Sequence, residues 1–290
     1  MSWRDYLVAL VIMAIWGFNF VVIKFGVGEV PPLMLAALRF LIVLVPAIFF
    51  VRPPCAAVWI VAGYGVAIAV MQFGFMFSAI SLGMPAGLSS LVVQSQSFFT
   101  ILAAWLIMGE RPGRQQMLGA LVAFAGIAVI ASQRAGSAAL GPFLMVVAAA
   151  VSWGFGNVLG KLAGRVDMLA FTLWSSLAAP LPLLALSWWF EGPEAYGAVL
   201  RGGFGLAASL IYLAYLGTLF GYTLWARLLS RHRAAEVAPF SLLVPVFGMA
   251  SAHLVFDENI SAVEWMGAGL VLAGLSWNIF GPRVLARIGR

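Results

Sequence analysis

Ionisable side chains are scarce in this sequence. Asp, Glu, Lys and Arg make up 9% of its 290 residues, against roughly 25% in soluble globular domains. Two histidines and one cysteine, Cys55, are all it has of those types. A lone cysteine closes no internal disulfide and, without companions, holds no metal. No Cys/His cluster has ligand spacing, no nucleophile–base set can be assembled, and no Gly-Lys-Ser/Thr follows a strand pattern. Enzymatic chemistry, a metal centre, a resident cofactor and ATP-driven pumping are therefore not expected. Carboxylates are also missing from the middle of the apolar runs, since Glu110, Asp257, Glu258 and Glu264 all fall at their ends. That argues against a carboxylate proton relay. The N-terminal run lacks a small-residue cleavage site and reads as a retained first span.

Apolar surface is what the chain has in excess. It is 63% hydrophobic with a mean hydropathy of +1.05, more than a soluble core can hide. The runs are continuous over about 20 residues, the length of a membrane helix, and lack the alternation of a membrane strand. The fold class is an all-α polytopic membrane protein. Runs bounded by charge, Pro and Gly place ten spans near 5–25, 33–51, 57–80, 85–108, 115–132, 139–161, 168–190, 204–228, 235–256 and 262–281. The connections are short except for 191–203. With ten spans both termini share one side. Only Lys24, Arg134 and Arg201 fall on the other, Arg39 lies inside the second span, and the remaining Lys and Arg collect with the termini. The positive-inside bias puts both termini in the cytoplasm. The same bias explains the net charge of +6 without invoking nucleic acid.

The chain repeats itself. Trp16-Gly17-Phe18 with Lys24 recurs as Trp153-Gly154-Phe155 with Lys161, and Glu110, Gly119 and Gly126 recur 148 positions later as Glu258, Gly267 and Gly274. Two units follow, residues 1–134 and 135–290. Each holds five spans, and an odd number makes the second unit inverted relative to the first. Transporters built this way place their substrate sites near the midplane between the halves.

The polar residues inside spans are the candidates for that site. The fourth span carries Gln94-Ser95-Gln96-Ser97 at a depth where an unpaired amide costs several kcal/mol. Two residues apart on an α-helix means about 200°, so Gln94 and Gln96 head separate stripes and at most one is expected to look squarely into a cavity. The alternative is that both stripes are interhelical hydrogen-bonding surfaces. The 148 shift sets Gln94 opposite the stretch around Pro245, where a mid-helix proline frees a carbonyl. Trp16 with Asn19, and Trp153 with Asn157, form matching faces on the opening helix of each unit. Gln72 in the third span adds an amide. Tyr212, Tyr215, Tyr222 and Trp225 share a face of the eighth span and read as an aromatic wall or as packing. Arg39 is expected to snorkel outward or to pair with Glu29, Lys24 and Lys161 to anchor at interfaces, and His253 to be the group that titrates near neutral pH.

These motifs resemble the drug/metabolite transporter superfamily, and within it the EamA-type exporters. The likeness rests on Trp16-Gly17-Phe18-Asn19, on Glu110-Arg111 and Asp257-Glu258 closing the fourth and ninth spans, on Pro31-Pro32-Leu33-Met34-Leu35 with Arg39-Phe40, on Gly83-Met84-Pro85-Ala86-Gly87-Leu88, and on Pro239-Phe240-Ser241-Leu242-Leu243-Val244-Pro245. The resemblance implies alternating-access export of amino acids or related metabolites across a bacterial inner membrane. Drugs or other small metabolites are the alternative cargo. Protons are an open coupling partner and the oligomeric state is open, a monomer being compatible. In related aromatic amino-acid exporters, aromatics on the third, fourth and sixth helices line the cavity. By position these correspond to Gln72, to Gln94 and Gln96, and to Trp153, so the resemblance points to a smaller or more polar cargo. The first-helix glutamate of the four-helix drug exporters has no counterpart here. A phosphate cargo would ask for Lys or Arg at mid-depth, and none is expected.

Overall fold

Each apolar run becomes a helix that ends where the sequence supplies a cap. The computed structural model describes residues 1–133, 139–164, 166–232 and 234–288, and among them every regular element is helical. The expected unit boundary at 134/135, with Arg134, and also Arg165, Arg233 and Arg290 lie outside the described residues. Ser2 opens the first helix in a capping box with Asp5, each side chain bonding the other's backbone N–H. Asp167 caps the seventh helix by accepting from Leu169 N and Ala170 N. Gly109 ends the fourth helix at φ 70 and Asp257, its counterpart by the repeat, ends the ninth at φ 50. Both are left-handed caps whose N–H groups satisfy carbonyls of the last turn, Gly109 N on Trp105 O and Asp257 N on His253 O.

Among the described residues nine helices are long and apolar enough to span a bilayer: Trp3–Glu29, Val58–Ser81, Ala86–Met108, Arg114–Ser132, Leu140–Leu162, Met168–Phe190, Phe204–Trp225, Pro239–Phe256 and Ala262–Gly281. A tenth, Pro32–Ala47, has 16 residues, or about 24 Å, less than the roughly 30 Å of a hydrocarbon core. Its open N-terminus is capped from a distance, since Glu191 accepts from Leu33 N at 2.6 Å and Met34 N at 3.1 Å. The 191–203 connection is not an irregular loop. It holds a short helix, Glu194–Arg201, pinned where Tyr196 Oη donates to Leu184 O at 2.9 Å.

The helices pair as a duplicated unit requires. The first packs on the ninth, the sixth on the fourth, the fifth on the tenth and the second on the seventh. The crossings match in detail. A Cβ on Gly17 would stand 2.5 Å from Phe247 Cβ, and one on Gly154 would stand 2.8 Å from Phe99 Cβ, where Phe99 and Phe247 are 148 apart. Only glycine permits backbones this close. Lys24 bonds Glu258 at 2.7 Å and Lys161 bonds Glu110 at 2.6 Å. The two lysines are thus not simple interface anchors, since each clamps the C-terminal end of one unit's opening helix to the other unit. Glu258 also accepts from Ala86 N and Gly87 N, the first residues of the fourth helix. Glu110 follows the last residue of that helix. The first and sixth helices therefore end at opposite ends of the fourth.

Five segments depart from α-winding among the described residues: a 3₁₀ turn at Ser176–Ala178 in the seventh span, and four that come in pairs. The third and eighth spans carry π-helix over Val66–Gln72 and Tyr212–Phe220. The fourth and ninth carry 3₁₀-helix over Val93–Ser95 and Ala238–Leu242. These segments redirect side chains at mid-depth, and the cavity forms among them.

Candidate functional site

A cavity of about 300 Å³ opens at the centre of the bundle, walled by side chains from both units. The first helix contributes Trp16 and Asn19, the third Gln72 and Phe73, the fourth Gln94, Gln96 and Ser97, and the sixth Trp153 and Asn157. Tyr222 and Trp225 from the eighth helix, Ser241 from the ninth and Asn278 from the tenth complete its polar and aromatic lining.

Both glutamines of the fourth helix face it, against the expectation that only one would. The 3₁₀ segment between them is the reason. At three residues per turn the pair is rotated by about 240°, leaving roughly 120° between the side chains, where α-winding would leave about 160°. The remaining gap is spanned because the cavity curves around this helix. Gln94, 8% exposed, donates from Nε2 to Ser241 O at 3.0 Å. Ser241 is four residues before Pro245, which has no N–H to offer this carbonyl. Gln96 serves a different network. Its Oε1 accepts from Asn157 Nδ2 at 2.7 Å, and Asn157 also donates to Thr100 Oγ1 at 2.9 Å. Gln72 lines the cavity with no hydrogen-bond partner among the described residues.

The aromatic wall is assembled from two helices. Trp16 lies 5.4 Å from Tyr222 and 5.5 Å from Trp225 between ring centroids. Its Nε1 donates to Gly217 O at 3.0 Å, inside the eighth helix's π segment. Tyr212 and Tyr215 are not brought to the cavity. Tyr212 Oη donates to Ile15 O at 2.9 Å and its ring packs on Phe18, while Tyr215 is 39% exposed on the outside of the bundle. Each residue of a π-helix advances less than the 100° of an α-helix. Over nine residues the offset accumulates and turns Tyr222 and Trp225 away from the other two tyrosines.

Arg39 is where the structure departs most from expectation. It neither snorkels nor pairs with Glu29. It is the eighth of 16 residues in its helix, is 2% exposed and lines the central cavity. Nη2 donates to Thr218 Oγ1 at 2.9 Å, and the guanidinium lies 4.0 Å from the Phe73 ring centroid. Nε and Nη1 have no partner, and among the described residues no carboxylate pairs with it. A mid-depth cation is thus present after all. It escaped notice because a span drawn over 33–51 puts it near an end, whereas the helix stops at Ala47 and puts it in the middle. A charge at the centre of a membrane helix costs about 2.5–3.5 kcal/mol on insertion scales.

Comparison with known proteins follows this geometry. The family model described as "EamA-like transporter family" matches residues 3–132 and 140–280. The chain belongs to the EamA-like transporter family. It is 42% identical over 291 residues to a Salmonella typhimurium protein named "Probable amino-acid metabolite efflux pump", covering 98% of this chain and 97% of that one. An Escherichia coli protein of the same name is 41% identical, with the same coverage. A solved crystal structure shares the fold with a TM-score of 0.62 at 21% identity, covering 94% of this chain and 95% of that one. The protein is therefore a multi-pass membrane transporter of the EamA-like family, not an enzyme.

Within this EamA-like transporter the sequence-predicted residues divide cleanly. Trp16, Asn19, Gln72, Gln94, Gln96, Trp153, Asn157 and Tyr222 meet at one cavity, while Tyr212 and Tyr215 serve helix packing and the outer surface. His253 is exposed at the outer end of the ninth helix, where its Nδ1 lies 3.2 Å from Glu258 O. Asn278 and Arg39 were not anticipated on the cavity wall. Asn278 carries no sequence signal, because its counterpart by the repeat, Ile130, is apolar.

Proposed function

We propose that this protein is a secondary transporter exporting amino acids or amino-acid-like metabolites across a bacterial inner membrane, by alternating access around the central cavity. One observation carries the reading: Asn19, Gln94, Gln96 and Asn157 meet Trp16 and Trp153 on the walls of a single cavity between the two units. Amides donate and accept alike, which suits a zwitterion, and the indole rings suit an uncharged side chain. A volume of about 300 Å³ is at the small end of ligand pockets and matches a single amino acid better than a large drug. The relatives named as efflux pumps for amino-acid metabolites support the same cargo.

Inverted units give two related conformations by exchanging their roles. The Lys24–Glu258 and Lys161–Glu110 clamps, at opposite ends of the fourth helix, are the natural closures of the two faces. Tyr222 and Trp225 form the aromatic wall in this reading, and Tyr212 ties the eighth helix to the first through Ile15 O. The Lys and Arg bias places both termini in the cytoplasm. All the walls come from one chain, so a monomer is sufficient.

The test is flux of labelled amino acids from liposomes holding the purified protein, with and without a pH gradient. Transport of part of the panel is expected. No flux across a broad panel refutes the reading, and proton dependence would direct attention to His253. Unchanged flux in both Gln94→Ala and Gln96→Ala would reassign the glutamines to packing.

A further inference from the structure

Among the described residues no carboxylate balances the charge of Arg39. Its burial is nearly complete and its contacts are a hydroxyl, Thr218 Oγ1, and two aromatic rings, Phe73 and Phe40. Aromatic faces attract a cation without neutralising it. Two of its three nitrogens, Nε and Nη1, lack any acceptor. A buried guanidinium is retained in a membrane bundle when an anion visits it, because paired and hydrogen-bonded charges are the ones an apolar interior tolerates. Nε and Nη1 each share an edge of the planar guanidinium with Nη2, whose second N–H stays free when the first bonds Thr218, so one edge remains for both oxygens of a carboxylate.

A second unsatisfied atom stands close by. Asn19 Oδ1 is buried without a donor and lies against Gly217, the residue before Thr218. Consecutive Cα atoms are about 3.8 Å apart, so the orphaned acceptor of Asn19 and the guanidinium of Arg39 approach adjacent residues of one π segment. Both side chains line the central cavity. Donors for an anion beside an acceptor for a cation match the two ends of an α-amino acid.

We infer that Arg39 is the carboxylate anchor of the transported substrate and that Asn19 Oδ1 receives its ammonium, so the cargo is a free α-amino acid or a close derivative keeping both groups. The inference rests on the proposed export function and narrows it. A single guanidinium balances a single negative charge, which favours a carboxylate over a phosphate dianion. Arg39 acts by binding the substrate's anion, and Thr218 positions it through Nη2.

The experiment compares each labelled L-amino acid that the wild type moves in liposomes with its α-carboxamide, which keeps the shape and loses the charge. The acid is expected to move, or to compete for transport, at least about tenfold better than the amide, the usual margin of a hydrogen bond to a charged group. Arg39→Gln should abolish that margin, bringing the ratio of acid to amide flux to about one whatever the absolute rates. Arg39→Lys, which keeps the charge and loses the fork, should fall between them. In the same format, Asn19→Val should remove any preference for a free amine over its N-acetyl form. A structural role for Arg39 would lower flux of acid and amide together and leave their ratio intact, and that result overturns the inference. Equal wild-type flux of acid and amide also overturns it, and this comparison needs no variant to fold. In that case the export reading survives, whereas a wild type that moves no amino acid refutes both.

Discussion

Glu110 and Glu258 are related by the repeat, yet removing their carboxylates should have unequal effects. Glu258 is 10% exposed at its side chain and its lysine partner 34%, against 46% and 53% for Glu110 and Lys161. Glu258 also holds Ala86 N and Gly87 N at 3.0 Å each, two amides of a helix N-terminus that have no intrahelical partner. Glu258→Ala therefore strips two capping bonds of about 1 kcal/mol each and an ion pair whose worth, with the lysine partly solvated, is about 1 kcal/mol. The expected loss is about 2–3 kcal/mol. Glu110→Ala removes only an exposed pair and should cost under about 1 kcal/mol. Thermal unfolding in detergent, followed by the fluorescence of the 11 tryptophans, reads the difference. At 2–4 °C per kcal/mol for a sizeable chain, Glu258→Ala should melt about 4–12 °C lower and Glu110→Ala barely lower at all. Equal shifts would refute the claim that burial and capping, rather than the ion pair itself, set the strength of these clamps.

Three further outcomes are expected. Gly17→Ala should destabilise by about 1–3 kcal/mol through overpacking, because its Cβ would meet Phe247 Cβ at 2.5 Å, whereas Gly28→Ala, with nothing within 4 Å, should be close to neutral in the same melting assay. Gln94→Leu should destabilise by about 1–2 kcal/mol by removing the 3.0 Å bond from Nε2 to Ser241 O, read as a lower melting temperature in the same assay, and an unchanged melting temperature would show that this bond adds nothing to stability. Gln96→Ala and Asn157→Ala should likewise be strongly non-additive for stability, since they share one bond of 2.7 Å, and simple additivity would show that the network is not a unit.

Much of the fold was legible because membrane burial simplifies the code. Ten apolar runs became ten helices with ends within a few residues, except that the second stops at Ala47 and the tenth runs on to Ile288. The Trp-Gly-Phe match and the 148 shift correctly paired Gly17 with Gly154 and Glu110 with Glu258, since each pair occupies equivalent contacts. The short helix at 194–201 was missed because a stretch between spans reads as loop unless its amphipathic period is counted.

Side-chain direction was much less legible. An even 100° per residue separated Gln94 from Gln96 and grouped Tyr212 with Tyr222, and the structure reverses both. Winding is not written in those segments: Val93–Ser95 has no glycine or proline, and the single Gly217 of Tyr212–Phe220 does not by itself mark a change of helix type. It is settled by which carbonyls and side chains lie opposite, such as Ser241 O for Gln94 and Gly217 O for Trp16.

The sequence alone therefore determined the membrane class, the duplicated plan and the pool of polar residues too deep to be left unpaired, because hydrophobic length and repeat spacing are properties of the chain taken linearly. Only the tertiary structure decided which of those residues share a cavity. It also decided that Arg39 is the unbalanced charge beside them, since balance is a question of what stands across the gap, and in every case that partner came from a distant helix.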